Sequence, residues 1–207
     1  MEKISESQWQ QLQAVLEKKG YGVQVFDTAQ QAAEHLNRSI DGTTVGFGGS
    51  MTLRQMGLYE SLGSHNTVYW HWLPGEGQTM DDVRKLASDT PVYLLSANGL
   101  ALTGELINID GACNRIASSV FGHQKIIFVI GQNKLAPDFE GALWRARNIA
   151  APKNAQRLHR KTPCAAAGDR CYDCSSPERI CRGLTVLWEK PSGKAYEIVL
   201  VKEDLGY

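Results

Sequence analysis

Apolar residues recur every three or four positions in several stretches of the chain, and short apolar runs separate these stretches. The first stretch follows Ser5, a good helix N-cap, ends at Gly20, and carries Trp9, Leu12, Val15 and Leu16. Further helices are predicted over about residues 28–38, 52–62, 80–87, 113–120 and 137–149, and strands over about 21–26, 43–47, 67–71, 92–96 and 125–130. This alternation predicts an α/β fold with a mostly parallel sheet flanked by helices.

Two regions depart from that rhythm. Residues 100–102 and 105–109, separated by Thr103 and Gly104, predict an inserted β-hairpin. After Ala150 the periodicity fades, and residues 184–189 and 195–202 then predict a terminal hairpin. The expected organisation is an α/β domain over 1–162, a cysteine-rich metal-binding segment over 163–182, and a C-terminal β-hairpin over 183–207 that completes the same domain.

Composition narrows the functional classes. Among 207 residues, 43% are hydrophobic and 21% charged, which excludes a largely disordered chain. The 22 basic and 22 acidic residues cancel, so a generally basic nucleic-acid-binding protein is not expected. No apolar run reaches the roughly 18 residues of a membrane span, and the polar start of the chain does not read as a secretory signal. We therefore expect a cytoplasmic protein without nucleic-acid partners.

The cysteines suggest a metal site. Four of the five fall within 18 residues at the spacing C-x6-C-x2-C-x6-C, namely Cys164, Cys171, Cys174 and Cys181. Seven basic and three acidic residues between 151 and 182 give this region a local charge of +4, which offsets thiolate charge. Four thiolates can hold zinc or a four-iron cluster, whereas the alternatives are reversible thiol chemistry or no special role. The lone Cys113 is expected to be a small buried helix residue.

A glycine-rich turn between a predicted strand and helix is a candidate anion site. Its glycines allow successive backbone N–H groups to face an anion, and its hydroxyls add donors. The residues assigned to ligand binding are Gly46, Gly48, Gly49, Ser50 and Thr52. The alternative is a plain tight turn in which Ser50 caps the helix. A P-loop is excluded because no Gly-Lys-Ser/Thr follows.

Polar residues are dense around the inserted hairpin. Glu105 is a candidate general base or nucleophile if burial raises its pKa, and Asp110 is a candidate proton acceptor. Asn114 and Arg115 are assigned to ligand binding, since arginine pairs with carboxylates and phosphates in a bidentate way. The alternatives are a helix cap for Asp110 and an ordinary strand position for Glu105.

Other positions receive weaker assignments. Five further residues are weaker candidates for the same pocket, namely Arg147, Asn148, Pro152, Asn154 and Arg157, although Arg147 and Arg157 also fit solvated helix charges. The five histidines are scattered without metal-site or catalytic-triad spacing, and none is assigned a role.

Several segments together resemble a known family, namely VGFGGSMT, SANGLALTGELINIDGACNRIA, IGQNK, RNIAAPKNAQRL, TPCAAAGDRCYDCSSPERIC and VLVKEDLGY. They resemble the LUD-domain (lactate utilization protein) family, and most closely its short members with a cysteine-rich tail. The resemblance implies a fold similar to the ribose-5-phosphate isomerase, glucosamine-6-phosphate isomerase and CoA-transferase group. It also implies work beside iron–sulfur partner proteins, and it favours a 4Fe-4S cluster over zinc at the four cysteines.

Three functions follow from the residues and the resemblance together. The leading one is assistance in oxidising L-lactate to pyruvate, or a related organic acid, with a cysteine-bound iron–sulfur centre and a small anionic metabolite as ligand. The second is an isomerase- or transferase-like enzyme for a phosphorylated or CoA-linked metabolite, with structural zinc. The third is a non-catalytic subunit that docks an iron–sulfur partner. Whether the chain by itself is an enzyme stays open at this point.

Overall fold

Ten strands build two sheets in the computed structural model of the chain, which describes residues 4–207. In chain order the strands are β1 (Gly22–Phe26), β2 (Thr44–Phe47), β3 (Thr67–Trp70), β4 (Val92–Leu95), β5 (Gly99–Ala101), β6 (Leu106–Asp110), β7 (Lys125–Gly131), β8 (Leu135–Ala136), β9 (Gly183–Leu187) and β10 (Ala195–Val201). The larger sheet has six strands in the order β1-β10-β7-β4-β2-β3, and every neighbouring pair is parallel. The predicted α/β class with a mostly parallel sheet is confirmed.

Helices pack against the two sheets and against one another. They are α1 (Glu6–Lys18), α2 (Ala29–Ser39), α3 (Met51–Gln55), α4 (Leu58–Gly63), α5 (Met80–Ser88), α6 (Asn114–Val120), α7 (Phe139–Arg145), α8 (Ala151–Arg157) and α9 (Pro163–Ala167), with a 3-10 turn at Gln132–Lys134 and a π-helical turn at Ala146–Ala150. Ser5 caps α1 as predicted, in a reciprocal pair with Gln8. The single helix predicted over 52–62 is instead two, because the backbone turns left-handed at Gly57 (φ +61°).

The core lies on both faces of the parallel sheet. Side chains of β7 alternate between the two faces: Ile126 and Phe128 pack toward α1, and Ile127 and Val129 pack toward α2 and α4. Such a strand is apolar at nearly every position because helices cover both of its faces. Among residues 4–207, no helix has the length and apolar character needed to cross a bilayer.

The smaller sheet has the order β8-β5-β6-β9. The inserted hairpin is confirmed, because β5 and β6 pair antiparallel. The terminal hairpin is wrong: β9 pairs antiparallel with β6, whereas β10 lies between β1 and β7 in the other sheet. The sequence pattern of β10 is compatible both with a terminal hairpin and with a central strand of the larger sheet. Tyr196 and Val199 are buried in the hydrophobic clusters on opposite faces of that sheet, and this burial on both faces favours the central position. The cysteine-rich segment (residues 163–182) is irregular apart from α9.

Candidate functional site

A cavity of about 730 Å³ opens at the carboxyl ends of the parallel strands. Residues within three positions of the ends of four different strands line it, namely Gly49 and Ser50 after β2, His71 and Trp72 after β3, Ser96 and Asn98 after β4, and Lys134 after β7. Helix α8 and residues 177–182 of the cysteine-rich segment form the opposite wall. This edge is where open α/β sheets bind ligands. We call this space the cationic cavity, because most of the charged side chains that line it are basic.

Basic side chains dominate the lining. Eight of them line the cavity, namely Arg54, Arg84, Arg115, Lys134, Arg157, Arg160, Arg179 and Arg182. Within the part of the chain that the structure describes, only two carboxylate side chains, those of Asp110 and Glu178, line the same space. The chain as a whole is neutral, so this is a local concentration of positive charge. Such a surface attracts carboxylates and phosphates.

Lys134 is the most deeply buried of these cations, with 4% of its surface exposed. Its Nζ lies 2.8 Å from Thr52 Oγ1 and 2.8 Å from Ser96 Oγ. Burial, together with Arg145 and Arg115, lowers the pKa of Lys134 well below its usual value. Within the described part of the chain it forms no ion pair with a carboxylate.

His71 is a second unusual group in the wall. It is 6% exposed, and its Nδ1 has no hydrogen-bond partner among residues 4–207. Burial, reinforced by Arg84, lowers the pKa of His71 to about 4, although Asp110 acts in the opposite direction. The Nε atoms of Arg84 and Arg179 are likewise buried without a partner. Three residues of the cavity wall therefore each carry a buried nitrogen without a hydrogen-bond partner among residues 4–207, and such groups are uncommon in folded proteins.

The turn after β6 holds three of the predicted residues in place. The carboxylate of Asp110 accepts hydrogen bonds from the backbone N–H of Gly111 at 2.8 Å and of Arg115 at 2.9 Å. The guanidinium of Arg115 in turn donates to Ile109 O at 2.6 Å and Asn108 Oδ1 at 3.3 Å. Asp110 therefore acts as a turn and helix cap, and with Arg115 and Asn114 it lines the cavity.

The residues of the glycine-rich turn have two different roles. Gly49 and Ser50 line the cavity, and Ser50 Oγ also accepts from Leu53 N, so it caps α3 as the alternative predicted. Gly46 and Gly48 serve packing instead. A Cβ at Gly46 would lie 2.7 Å from Thr90 Oγ1, and one at Gly48 would lie 2.9 Å from Arg115 Cγ. The backbone N–H of Gly48 donates a hydrogen bond to Leu94 O. The hydroxyl oxygen of Thr52 accepts a hydrogen bond from Lys134 Nζ.

Glu105 lies away from this cavity. It precedes β6, whereas Asp110 ends that strand, so about five residues of extended chain separate them, roughly 16 Å. Burial acts to raise its pKa, but hydrogen bonds from the Thr103 hydroxyl and its own backbone, with the Lys19 ammonium, hold the pKa of Glu105 below its usual value. The condition set for general-base chemistry, a raised pKa, is not met here.

The four clustered cysteines are all free and partly buried. Arginine donors contact two of them: Arg147 Nη2 lies 3.7 Å from Cys171 Sγ, and Arg179 Nη2 lies 3.5 Å from Cys181 Sγ. Among residues 4–207, no three His, Cys, Asp or Glu side chains are gathered as metal ligands. The donor chemistry suits a thiolate-bound metal, but the arrangement as it stands does not fit one.

Cys113 differs from its expected role. It is half-buried and occupies the N-cap position of α6 with a left-handed backbone (φ +61°). Its Sγ packs against Gly183, where a Cβ would lie only 2.6 Å away.

Sequence reasoning missed two of the most distinctive residues, His71 and Lys134, and it placed Arg157 only among the weaker candidates. Of those weaker candidates, Arg147, Asn148 and Pro152 do not line the cavity. The structure places Asn154 and Arg157 in the wall, with the Arg157 guanidinium 4.6 Å from the centre of the Trp72 ring. One signal was available for both missed residues. Each comes just after a strand of the parallel sheet, and the ends of parallel strands present side chains to a shared edge.

The fold and the cavity define a parallel α/β protein with an anion-attracting site at its strand ends. A family model described as the LUD domain matches residues 9–201, so the chain belongs to the LUD-domain family. A solved structure of a DUF162 family protein from Deinococcus radiodurans has a similar fold at 11% identity, with a TM-score of 0.53 over 96% of this chain and 99% of that one. No curated protein matches the sequence.

Proposed function

We propose that this LUD-domain protein binds a small organic acid of the lactate and pyruvate class in the cationic cavity. Through that site it would assist the oxidation of L-lactate to pyruvate, or of a related acid. One observation carries the proposal: eight basic side chains surround about 730 Å³ at the strand ends, against two carboxylates. The association of the family with lactate utilization supplies the substrate class.

The depth of the site supports a small ligand with a charged head group. Ser96, Asn98 and Lys134 form a polar floor, and Trp72 offers an apolar surface beside it. A carboxylate on this floor would be partly desolvated, and charge-assisted hydrogen bonds from arginine would offset that cost.

A second candidate ligand is a phosphorylated or CoA-linked metabolite. The observation that favours it is the surplus of arginines, since six surround the cavity beyond Arg115 and Lys134, more than one carboxylate needs. The expected relation to the ribose-5-phosphate isomerase and CoA-transferase group points the same way. This candidate implies an isomerase- or transferase-like reaction.

Titration calorimetry separates these candidates. Pyruvate, L-lactate, inorganic phosphate and coenzyme A are each titrated into the protein at fixed ionic strength. Saturable binding of pyruvate or L-lactate in the absence of strong phosphate binding supports the organic-acid proposal. Tighter binding of phosphate and coenzyme A than of both acids supports the second candidate and contradicts the first. Binding of none of the four contradicts both.

Two variants test whether the ligand binds in the cationic cavity. Arg157→Gln removes a cavity cation, and we expect at least about tenfold weaker binding, because a charge-assisted hydrogen bond contributes about 1.5–3 kcal/mol. Arg38→Gln is the matched control, since Arg38 is exposed near the end of α2 and outside the cavity. Equal loss in both variants would mean non-specific charge attraction instead of a site.

The iron–sulfur part of the prediction remains a separate proposal about the cysteine-rich segment. We propose that Cys164, Cys171, Cys174 and Cys181 bind a 4Fe-4S cluster in preference to zinc, in the cytoplasm, where free thiols persist. The segment would also contact iron–sulfur partner proteins. Its free thiols and arginine neighbours support this, whereas its present arrangement would have to close around the metal. No step of ligand binding is assigned to the cluster.

Anaerobic purification with iron, zinc and sulfide analysis tests this proposal. About four iron and four sulfide per chain, lost when the four cysteines are replaced by serine but kept in Cys113→Ser, would support it. About one zinc without a visible absorption band would favour a structural metal. Neither metal, from cells supplied with both, would contradict a cluster.

A further inference from the structure

The floor of the cationic cavity contains a buried amine. We propose that Lys134 forms a reversible imine with the carbonyl carbon of a 2-oxo acid bound in this cavity. The inference rests on the proposed function, because it needs an organic acid in the site. It goes further by assigning a covalent step to one side chain.

The first argument is placement. Lys134 lies in the 3-10 turn that follows β7, a central strand of the parallel sheet, and its side chain reaches the cavity. Arg145 braces this turn by donating from Nε to Asn133 O at 2.7 Å and from Nη1 to Asn98 O at 2.5 Å. A nucleophile must be held in a defined position to react efficiently, and these contacts supply that rigidity.

The second argument is the hydrogen bonding of Nζ. The hydroxyl of Thr52 donates to Leu205 O at 3.1 Å, so its oxygen is left to accept from the amine. The hydroxyl of Ser96, 2.8 Å from Nζ, can either accept from the amine or donate to its lone pair. Two hydroxyls and no carboxylate therefore surround the nitrogen among the described residues. A neutral amine is satisfied by this environment, whereas an ammonium ion would have no counter-charge.

The third argument is the surrounding charge. Arg145 and Arg115 lie near enough to disfavour a further positive charge, and burial acts in the same direction. The arginines of the wall attract the carboxylate of a 2-oxo acid, which places its adjacent carbonyl toward the floor. A desolvated lysine beside cationic groups is a recognised way to obtain an amine nucleophile near neutral pH.

The chemical step needs no oxidant or reductant. The Nζ lone pair forms a bond to the carbonyl carbon, the C=O π bond breaks, and the oxygen takes a proton that the nitrogen gives up by way of the Ser96 hydroxyl. The resulting carbinolamine then breaks its C–O bond and releases water with the second nitrogen proton. The products are one C=N bond and one water molecule.

Borohydride trapping tests the proposal. The full-length protein is incubated with pyruvate and sodium borohydride, and intact-mass and peptide mapping follow. We expect one adduct, on Lys134, that adds the mass of pyruvic acid less one oxygen atom and saturates with pyruvate concentration. L-lactate lacks the carbonyl, so alone it should leave no adduct, and in excess it should reduce trapping by pyruvate.

The controls separate this proposal from the one it rests on. Lys153→Met changes an exposed lysine on α8, outside the cavity, and should trap as the parent does, whereas Lys134→Met should not trap. Peptide mapping of the unaltered protein identifies the lysine even if Lys134→Met fails to fold. Pyruvate binding by calorimetry without an adduct on Lys134, or with adducts only on exposed lysines, would overturn the imine alone. Absence of pyruvate binding would overturn both proposals.

Discussion

Buried polar side chains concentrate at one end of the sheet. Lys134 and His71 are each more than nine-tenths buried, and both line the same cavity. A buried polar group costs stability unless something compensates it, so two such groups in one wall indicate a functional use. The surroundings of buried titratable groups also predict how the stability of the protein depends on pH.

The lowered pKa of His71 predicts an acid-dependent loss of stability. Folding holds the imidazole neutral down to about pH 4, whereas in the unfolded chain it takes up a proton near pH 6.5. Stability from this group is therefore fully present above pH 6.5 and falls as the pH drops toward 4, by about 3 kcal/mol in total. Chemical denaturation of the parent and of His71→Phe at several pH values measures it. Parallel pH profiles for the two proteins would contradict the prediction.

Glu105 gives a pH dependence of the same sign in a more acidic range, because folding lowers its pKa as well. Its folded pKa lies below the usual value, so its stabilising effect is present above about pH 4.5 and is lost as the pH falls through the folded pKa. We expect Glu105→Gln to lower the free energy of unfolding at pH 7 by about 1–3 kcal/mol, with pyruvate affinity unchanged. Asp81→Asn, at an exposed pair with Arg84, is the control and should cost far less. Loss of pyruvate binding in Glu105→Gln would return this residue to the site.

The elements position the cavity through close packing. Strand β2 approaches the end of α5 at Gly46, where the Ala87 carbonyl and the Thr90 hydroxyl leave no room for a side chain. The same strand then delivers Gly49 and Ser50 to the cavity. Within one short glycine-rich run, the packing role and the site role therefore fall on different residues.

Gly46→Ala tests this division. We expect it to lower the free energy of unfolding by about 1–3 kcal/mol, because an added Cβ forces the end of α5 away from the sheet. Gly22→Ala is the matched control, since its nearest neighbour, Tyr196 O, would lie at 3.5 Å in ordinary contact. Thermal and denaturant unfolding measure both variants. A tolerated Gly46→Ala with selectively weakened pyruvate binding would instead support the predicted ligand role of Gly46.

At the scale of the whole molecule, the cysteine-rich segment closes the cavity. Residues 177–182 contribute Arg179 and Arg182 to the wall opposite the strand ends, while the exposed stretch around Arg170 lies outside it. A ligand held by both sides therefore connects this irregular segment to the rigid sheet. Binding should reduce local opening of the segment.

Limited trypsin digestion measures whether ligand binding reduces local opening of the cysteine-rich segment. We expect cleavage after Arg170 in the free protein, and several-fold slower cleavage with saturating pyruvate. Arg182→Gln should weaken this protection, and Arg170→Gln should remove the cleavage product and so identify it. Equal cleavage rates with and without saturating pyruvate would show that the segment does not move with ligand binding.

Much of the architecture followed from local patterns. Helix caps such as Ser5, the apolar run of β7 and the tight β5–β6 connection act through neighbours in sequence, so the α/β class and the inserted hairpin were predictable. The partners of β9 and β10 were not, because pairing between distant strands depends on which faces become buried. The division of the predicted helix over 52–62 into α3 and α4 was not predictable either, because it depends on the left-handed backbone conformation of Gly57.

The sequence by itself determined the order of elements, the family, and the polar turn that holds Asp110 and Arg115, because caps, turns and periodicity are short-range properties. Only the tertiary structure decided which polar residues share a site. In the folded chain Glu105 lies at the end of β6 that is far from the cavity. Lys134 and His71, which are 63 positions apart in the sequence, line the same cavity. The physical reason is that burial and electrostatic environment arise where strands meet in space. The position of a residue just after a strand indicates a shared edge, but it does not indicate which side chains become buried there.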